Sequence, residues 1–374
     1  MLAIGDVGNI VRTIRKHVKK SEIYIINYPQ DGSSTFVNSD DVELFKTRKV
    51  SDQVKKINEI KDDYDICLTT ASERIAYLAD LNYVGYYLGR DIDVPMFKKN
   101  STEGWQTEPL HKLNFFERRF YWNAFKNAVA HVAGGWQFDY LSKYTKNGIA
   151  NAREPVDITE FNTNVKPMER KKTKFTFFYP IRMEKVKGTD LLWKAIKLCK
   201  SDFEILGVDW FGETTEEERK FKQKLIDEMP PQIKLVPIIK RSEIAEYYRY
   251  ADAVIANLFL GTFELVGLES VMFGTPVIQY TDKKRKIVID GEEIESPFLP
   301  FSNDPKSIAN VIDKVVESKE FKQKLFDDEY QFVSKVADPV KCAEWWDDLF
   351  EDLVKKHKSI RNNSSPLRVK LRMT

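Results

Sequence analysis

The chain has 374 residues and a formal net charge of +2, with 42% hydrophobic and 31% charged residues. This composition is typical of a soluble globular protein with about two domains. The sequence has no apolar run long enough to cross a membrane, and its start lacks the pattern of a signal peptide. Its three cysteines and four histidines are scattered, which predicts a reducing cytoplasm and argues against a clustered metal site.

The first half of the chain alternates strand patterns with helix patterns. A short strand at residues 2–4 is followed by the glycine turn "GDVGN" and by a helix with Ile10, Ile14 and Val18 on one face. This alternation predicts an open, mostly parallel sheet with helices on both faces. Further strands are predicted at 23–27, 65–70, 83–88 and 128–132, and further helices at 71–81 and 115–127.

A second series of the same kind follows the polar segment 154–173, which has the composition of a linker. The predicted fold class is therefore α/β, with two doubly wound domains that face each other and hold a ligand between them. The predicted domains are residues 1–160 and 161–340, and residues 341–374 are predicted to form a C-terminal helix and a basic tail. In the second domain, strands are predicted at 175–179, 203–208, 233–236, 253–256 and 276–280, and helices at 187–199, 244–251 and 265–272.

The end of the chain combines an amphipathic helix with a basic tail. The helix has an apolar stripe, which predicts packing on the rest of the protein. Residues 355–374 carry a charge of +7 and no acid, which leaves −5 on the rest of the chain. This tail is typical of a solvated terminus, and nucleic-acid binding, which would rest on it alone, is not expected. The apolar stripe of the C-terminal helix consists of Trp345, Trp346, Leu349, Phe350 and Leu353.

Weak peripheral contact with a membrane is the alternative interpretation of the basic residues. The tail could bind anionic lipid, because each cation near such a surface contributes up to about 1 kcal/mol. The first predicted helix offers a second set of cations close to its apolar face. These are Arg12, Arg15, Lys16, Lys19 and Lys20.

Two basic residues lie between a predicted strand and a predicted helix. Arg182 and Lys187 occur in "IRMEKVKGTD". Cations at the carboxyl end of a strand and beside a helix start suit a diphosphate, because they neutralise its charge while backbone N–H groups bind its oxygens. Ordinary surface cations are the alternative, since basic residues are common in this chain.

One acid lies inside an apolar helical segment, at Glu269 in "GTFELVGLESVMFGTPVI". An ionised carboxylate only accepts hydrogen bonds, so it suits the two neighbouring hydroxyls of a ribose. Pairing with a structural Arg or Lys is the alternative for a single buried acid. Together with Arg182 and Lys187 on adjacent loops, Glu269 favours a nucleotide.

Three segments together resemble the C-terminal half and hinge of family-4 glycosyltransferases, which have the GT-B fold. They are "RMEKVKGTDLL", "SEIAEYYRYADAVIANLFLGTFELVGLESVMFGTPVI" and "EPVDITEF", and the resemblance is detailed from about residue 154 to 280. In the N-terminal half it is limited to "GDVGN" and "LGRD". It implies two Rossmann-like domains facing across a cleft, the first binding the acceptor and the second a nucleotide-diphosphate sugar. It also implies sugar transfer with retained anomeric configuration, normally without a metal.

The resemblance implies a role for each matching position. Arg182 and Lys187 would bind the donor diphosphate and act in catalysis, and Asp91 in "LGRD" is a third catalytic candidate. Glu269 would hold the ribose. The other donor-binding candidates are Gly5 in the N-terminal glycine loop, Pro237 and Ile238 beside the base, and Glu264, Leu265 and Val266 on the loop that meets the phosphates.

Four positions depart from the family pattern. Gly261 stands where the family has its first glutamate beside the donor sugar, and Glu264 stands where it has a glycine. Leu88 replaces the histidine before "GRD", and Asp6 replaces the second glycine of the N-terminal loop. Two polar groups expected near the transferred sugar are therefore missing, whereas the nucleotide end is retained.

The predicted function is a cytoplasmic glycosyltransferase of the hexosyltransferase type, which moves a sugar to a glycan, a lipid or another acceptor. The predicted partner is a nucleotide sugar, and no cofactor or metal is expected. The main alternative is a GT-B protein that binds a nucleotide sugar as a regulatory or partner subunit, with weak or no activity. A sugar-nucleotide epimerase of the same architecture would need acids or bases that the sequence does not display.

Overall fold

The computed structural model describes residues 1–29, 41–70, 72–88, 114–160, 165–213, 216–240, 243–262, 264–284 and 287–363. The strands are β1 Leu2–Ile4, β2 Tyr24–Asn27, β3 Glu43–Leu44, β4 Cys67–Thr70, β5 Tyr83–Tyr87, β6 Ala130–Ala133, β7 Gly148–Ile149, β8 Phe175–Tyr179, β9 Phe203–Val208, β10 Ile233–Val236, β11 Ala253–Ile255, β12 Val277–Ile278, β13 Ile287–Ile289 and β14 Glu292–Ile294. The helices are α1 Ile10–His17, α2 Val50–Ile60, α3 Glu73–Leu78, α4 Phe115–Asn127, α5 Gly135–Leu141, α6 Thr189–Ile196, α7 Glu216–Asp227, α8 Ile244–Tyr250, α9 Leu265–Met272, α10 Pro305–Glu317, α11 Lys319–Val336 and α12 Pro339–Asn363.

The first seven strands form one parallel sheet in the order β3-β2-β1-β4-β5-β6-β7. Successive side chains of a strand point to opposite faces of the sheet. On β1, Leu2 and Ile4 pack with buried residues of α2 and α3, whereas Ala3 packs with α1 and α12. Helices therefore cover both faces of this sheet.

The next five strands form a second parallel sheet in the order β10-β9-β8-β11-β12. On β8, Phe177 packs with α6 and α10 and Phe178 packs with α8, α9 and α11. Because both faces are covered, this strand has the nearly continuous apolar sequence "FTFFY". Strands β13 and β14 form a separate antiparallel pair.

Both large sheets have a point at which the strand order reverses. In the first sheet it lies between the neighbours β1 and β4, and in the second between β8 and β11. Loops that leave the carboxyl ends of two such strands diverge to opposite faces, and the crevice between them is the usual ligand site of doubly wound folds. The β1–α1 loop in the first sheet and the β8–α6 and β11–α9 loops in the second occupy these positions.

The last helix, α12, crosses back to the first sheet. Trp346 and Phe350 are buried in the core shared by α1 and that sheet. The Trp346 indole donates a hydrogen bond to the backbone oxygen of Arg153 at 3.0 Å, and its ring meets the ring of Tyr86 edge-on. The C-terminal residues of the chain therefore complete a core that the N-terminal residues begin.

The predicted α/β fold class with two doubly wound sheets is confirmed. The predicted bounds of β1, β8, β9, β10 and α4 agree with those observed. Several elements were not predicted, namely the helices α2, α5, α7, α10 and α11 and the four short strands β3, β7, β13 and β14. Helix α7 shows the reason, because Leu225 is its single buried residue in the described part and no apolar stripe marks it.

Candidate functional site

The segment after β8 holds Arg182 against a buried acid. Nitrogens Nε and Nη2 of Arg182 donate to the two carboxylate oxygens of Glu184, each at 2.9 Å. The guanidinium carbon also lies 5.6 Å from the centre of the Trp210 ring. Only 4% of the Glu184 side chain is exposed, against 28% for Arg182. The guanidinium is thus fixed from one side, and Nη1, which takes no part in this pair, is the nitrogen available to an anion.

Lys187 forms an ion pair across two loops. Its Nζ lies 2.5 Å from Oε1 of Glu264, which is the residue before α9. The amide nitrogen of Asn257 donates to the same oxygen at 2.8 Å. Both charged side chains remain partly accessible, with 23% of Lys187 and 18% of Glu264 exposed. The pair therefore lies at the surface of the crevice beside the start of α9.

Asn257 organises the loop that carries this pair. It is fully buried just after β11, and its Nδ2 also donates to the backbone oxygen of Val186 at 3.2 Å. Its Oδ1 accepts hydrogen bonds from the backbone nitrogens of Phe259 at 2.8 Å and Leu260 at 3.0 Å. One amide therefore shapes the β11–α9 loop, ties it to the β8–α6 loop and orients Glu264.

Gly188 allows these two loops to meet. Its backbone is left-handed with φ +77°, and a Cβ at this position would lie 3.0 Å from the backbone carbon of Leu258. The backbone nitrogen of Leu258 also donates to the oxygen of Lys187 at 3.1 Å. Any other residue at 188 would be strained and would push the loops apart.

A third acid, Glu154, responds to the charge of this cluster. It belongs to the segment between the two sheets and is half-buried. Desolvation, together with the negative charge of Glu264, raises the pKa of Glu154 to about 7. Glu154 is therefore close enough to Glu264 for the two carboxyl groups to interact electrostatically.

The loop after β1 faces this cluster from the first sheet. Gly5 is left-handed with φ +84°, and a Cβ there would lie 2.6 Å from the backbone oxygen of Thr70. Gly8 is also left-handed, and its Cβ position is 3.1 Å from a methyl carbon of Leu265. The glycine loop of the first sheet therefore lies against the first residue of α9 in the second.

Asp6 explains the departure from glycine at the second position of this loop. Its carboxylate accepts hydrogen bonds from the backbone nitrogens of Val11 at 2.9 Å and Arg12 at 3.0 Å. These are amides of the first turn of α1, which have no partner within the helix. Only 1% of Asp6 is exposed, so its carboxylate is a structural part of the start of α1.

Gly261 has an equally clear physical reason. Its backbone is left-handed with φ +69°, and a Cβ would lie 2.8 Å from both Tyr280 and the Cβ of Asp282. The backbone nitrogen of Asp282 would be 3.1 Å away, and it donates a hydrogen bond to the oxygen of Gly261. A glutamate cannot take this position without a different loop conformation. This chain therefore presents no acidic side chain at residue 261.

Glu269 lies deeper than its predicted role would suggest. Only 1% of the residue is exposed, and the hydroxyl of Tyr248 donates to its Oε2 at 3.4 Å. Its position on the first turns of α9 directs it towards the core formed with α8. In this conformation the carboxylate is covered by protein.

Comparison with known families identifies the second half of the chain. Residues 160–331 match the family model described as "Glycosyl transferases group 1". This range contains Arg182, Lys187 and all of α9. The sequence has no match among curated proteins.

Solved structures match over nearly the whole chain. Sucrose-phosphate synthase from Thermosynechococcus elongatus has a TM-score of 0.68 at 14% identity, covering 95% of this chain and 99% of that one. HepE from Anabaena, in a complex with UDP and glucose, has a TM-score of 0.64 at 14% identity and covers 94% of this chain and 99% of its own. A glycosyltransferase from Rickettsia africae has a TM-score of 0.60 at 15% identity, with 95% and 98% covered.

The chain has the GT-B fold, and its second half matches the glycosyltransferase group 1 family. The structural matches show the fold of both domains, and the family match covers residues 160–331. The predicted residues Arg182, Lys187 and Glu264 lie on the loops at the reversal point of the second sheet. Leu265 and Val266, which were predicted on the loop, are instead the first two residues of α9.

The remaining predicted residues lie at different distances from this cluster. Gly5 lies on the facing loop of the first sheet, beside Thr70. Pro237 and Ile238 follow β10 at the edge of the second sheet, and both are exposed. Asp91 lies outside the described residues.

Three functional-site residues were missed from the sequence. Asn257 could have been noticed, because it is the first polar residue after the apolar strand "AVIA" at a reversal point of the sheet. Glu184 and Glu154 gave no comparable signal, since an acid among basic residues is typical of a solvated surface. Their roles depend on burial and on partners that only the folded chain provides.

The described residues contain no group of three or more His, Cys, Asp or Glu side chains arranged to hold a metal ion. Glu184 is instead engaged by Arg182, and Glu264 by Lys187 and Asn257. The chemistry that can be read from these residues is therefore the binding of an anion by protein cations and amides.

Proposed function

We propose that this protein transfers a sugar from a nucleotide-diphosphate sugar to a hydroxyl acceptor, with retention of the anomeric configuration. The observation that supports it most is the position of Lys187. Its ammonium lies at the reversal point of the second sheet, beside the start of α9 and opposite the Gly5 loop. A diphosphate placed there meets a cation and a helix N-terminus together.

In the proposed reaction the bond between the anomeric carbon and the diphosphate oxygen breaks, and its electron pair leaves with the diphosphate. The acceptor oxygen forms the new bond from the same face, and its proton passes to the departing diphosphate. Lys187 and Arg182 would stabilise the negative charge that develops on the leaving group, which is the largest contribution a preorganised site can make. The absence of an acid at Gly261 is compatible with this route, because the leaving group itself accepts the proton.

The donor class gains support from the solved structures. Anabaena HepE has been crystallised with UDP, with UDP and glucose, and with UDP-glucose. We therefore propose a nucleoside diphosphate as the donor's leaving group in this chain. The acceptor class, a glycan, a lipid or another hydroxyl compound, is proposed more broadly.

The nucleoside would extend along the carboxyl edge of the second sheet. We propose that the base lies beside Pro237 and Ile238, whose exposure suits stacking or backbone contact. The ribose role of Glu269 requires a rearrangement, because its carboxylate is 1% exposed and accepts a hydrogen bond from Tyr248. Ribose binding would have to uncover it through a local conformational change.

A protein that binds the donor without transferring sugar is the second candidate. The observation that favours it is the left-handed backbone at Gly261, which excludes the usual acid beside the sugar. Binding and turnover separate the two candidates, since both predict binding and only one predicts release of the diphosphate.

Peripheral membrane contact stays a prediction and has lost part of its support. Among the described residues no helix is long and apolar enough to cross a membrane. Most cations of the α1 segment are paired with acids of the chain itself, and residues 364–374 of the tail lie outside the described residues. The pairs formed by the cations of the α1 segment are Arg12–Asp41, Arg15–Asp41, Lys19–Glu344 and Lys20–Asp348.

The cytoplasmic location also stays a prediction.

The test combines binding with turnover. Calorimetry with UDP, GDP and ADP is expected to show that one of them binds the wild type and that Lys187→Ala weakens it about 10- to 100-fold, the loss of one charged hydrogen bond. Lys20→Ala is the matched control, because it removes an equally charged lysine that is paired at the surface. The corresponding nucleotide sugar is then expected to release its diphosphate in the presence of enzyme.

Each failure has a separate meaning. If none of the three nucleotides binds the wild type, the donor class is wrong. If one binds and Lys187→Ala binds it equally well, the position of the diphosphate is wrong. If binding is intact and neither hydrolysis nor transfer occurs with any sugar or acceptor tried, the binding-subunit candidate is favoured.

A further inference from the structure

We propose that Glu264 is a built-in counter-anion, which occupies the diphosphate position on Lys187 until the donor displaces it. This inference rests on the proposed function, because it assumes that Lys187 binds a diphosphate. It assigns to Glu264 the role of setting donor affinity. Its removal should therefore strengthen binding, whereas removal of a ligand-binding residue weakens it.

The geometry places a carboxylate where a phosphate oxygen would be. Oε1 of Glu264 is 2.5 Å from Nζ of Lys187 and accepts a second hydrogen bond from Asn257 at 2.8 Å. A cation and an amide converging on one oxygen form the environment that a phosphate oxygen also prefers. Because a diphosphate brings more than one negative charge, it and an ionised Glu264 would repel each other at this distance.

The backbone at Glu264 allows the side chain alone to move. The backbone oxygen of Glu264 accepts from the nitrogens of Gly267 at 2.9 Å and Leu268 at 3.2 Å, so the start of α9 stays formed. The Glu264 side chain makes no capping hydrogen bond to the helix. Rotation of this side chain would uncover Lys187 and leave the amides of α9 in place.

The neighbouring ion pair between Arg182 and Glu184 differs from the pair between Lys187 and Glu264 in its burial. Glu184 is 4% exposed in its side chain and uses both oxygens on one guanidinium, whereas Glu264 is 18% exposed and meets Lys187 through one. Separating a buried acid from its cation costs more free energy than separating a partly exposed acid, which water can solvate. Glu264 is therefore the acid that a ligand can displace.

The charge around Lys187 supports the same conclusion. Glu154 has a pKa raised to about 7, partly by the negative charge of Glu264. An ionised Glu264 beside Lys187 therefore opposes the binding of a second anion at the same position. Movement of Glu264 away from Lys187 would remove this opposition.

The test is a double-mutant cycle on the full chain. Calorimetric Kd values for inorganic pyrophosphate, UDP, GDP and ADP are measured for the wild type, Glu264→Gln, Lys187→Ala and the double variant. Glu264→Gln is expected to tighten binding of pyrophosphate and of the accepted nucleotide about tenfold. In the Lys187→Ala background the same change is expected to have a smaller effect, because the cation for which the two anions compete is absent.

Two further variants make the result specific. Glu264→Ala is expected to tighten binding in the same direction, which separates displacement of charge from any new contact made by Gln. Glu292→Gln removes an acid of the β13–β14 hairpin that pairs with Lys335, and it should leave every Kd unchanged. Thermal unfolding checks that each variant is folded.

The outcomes distinguish this inference from the proposed function. Equal or weaker binding by both Glu264 variants, with nucleotide still bound by the wild type, would overturn the inference alone. Tighter pyrophosphate binding without binding of any nucleotide would support the counter-anion and overturn the donor class. Absence of binding by every variant to every probe would overturn both.

Discussion

The loops after β1 and β11 each lie at the reversal point of their own sheet, and each has an acid near the start of the helix that follows. In the first, both oxygens of Asp6 accept backbone N–H groups of α1, and the residue is 1% exposed. In the second, Glu264 leaves the amides of α9 uncapped and pairs with Lys187 instead. The same kind of residue at a similar place thus completes the fold in one domain and occupies a binding position in the other.

The difference indicates which domain receives the anion. A helix start binds a phosphate through amides that have no partner within the helix. Asp6 already uses two such amides of α1, whereas the side chain of Glu264 does not cap α9. The first sheet therefore offers close approach through Gly5 and Gly8, and the second offers charge and donors.

The largest effect on stability is expected at Gly261. Gly261→Ala should lower the free energy of unfolding by about 2–4 kcal/mol, because it adds left-handed strain to a collision with Tyr280 and Asp282. Gly291→Ala is the matched control: its φ is +84°, but no atom lies within 4 Å of the added Cβ. Urea denaturation measures both, and equal losses would show that the loop at Gly261 has room for a side chain.

Asp6→Ala tests whether the acid in the first sheet is structural. We expect a loss of about 2 kcal/mol in the free energy of unfolding, because two buried backbone N–H groups lose a charged acceptor. Asp304→Ala removes an exposed cap of α10 and is expected to cost about 1 kcal/mol. Glu264→Gln should change stability by less than either. A loss at Glu264 as large as that at Asp6 would contradict the distinction between the two acids.

The two cations of the second sheet should also differ. Arg182→Ala leaves the buried carboxylate of Glu184 without its partner and is expected to cost about 1–3 kcal/mol of unfolding free energy. Lys187→Ala leaves an acid that can turn towards water, so its cost is expected to be less than about 1 kcal/mol. Thermal and urea unfolding of both variants test this. A more damaging Lys187→Ala would mean that its pair with Glu264 is structural.

The smallest expected effect is a change in pH dependence. The folded-state pKa of Glu154 is raised to about 7 from a usual value of 4.5, so the folded state binds more protons than the unfolded state between these pH values. Its contribution to stability is therefore lost as pH rises through this window. Glu154→Gln should make the unfolding free energy fall less steeply between pH 5 and 7. A slope identical to that of the wild type would show that Glu154 is not coupled to folding.

Much of the fold could be predicted from the sequence because its parallel strands are buried on both faces. The run "FTFFY" and the helix pattern from Leu192 to Ile196 identify β8 and α6 without tertiary information. Helices such as α7, with Leu225 as its single buried residue in the described part, lack that pattern and were missed.

The candidate site was predictable only in part. Arg182 and Lys187 were identified from their place between a strand and a helix. Their partners were not, because Lys187 and Glu264 are 77 residues apart in sequence and meet only when two loops pack together. The reason for Gly261 is likewise tertiary, since the colliding groups belong to Tyr280 and Asp282.

The most direct test is a crystal structure of the protein with the nucleoside diphosphate that binds it most tightly in solution. The expected result is a diphosphate oxygen about 3 Å from Nζ of Lys187, with the phosphates at the start of α9 and the carboxylate of Glu264 turned away from the lysine. A diphosphate bound elsewhere, with the pair between Lys187 and Glu264 intact, would contradict the assignment of this site.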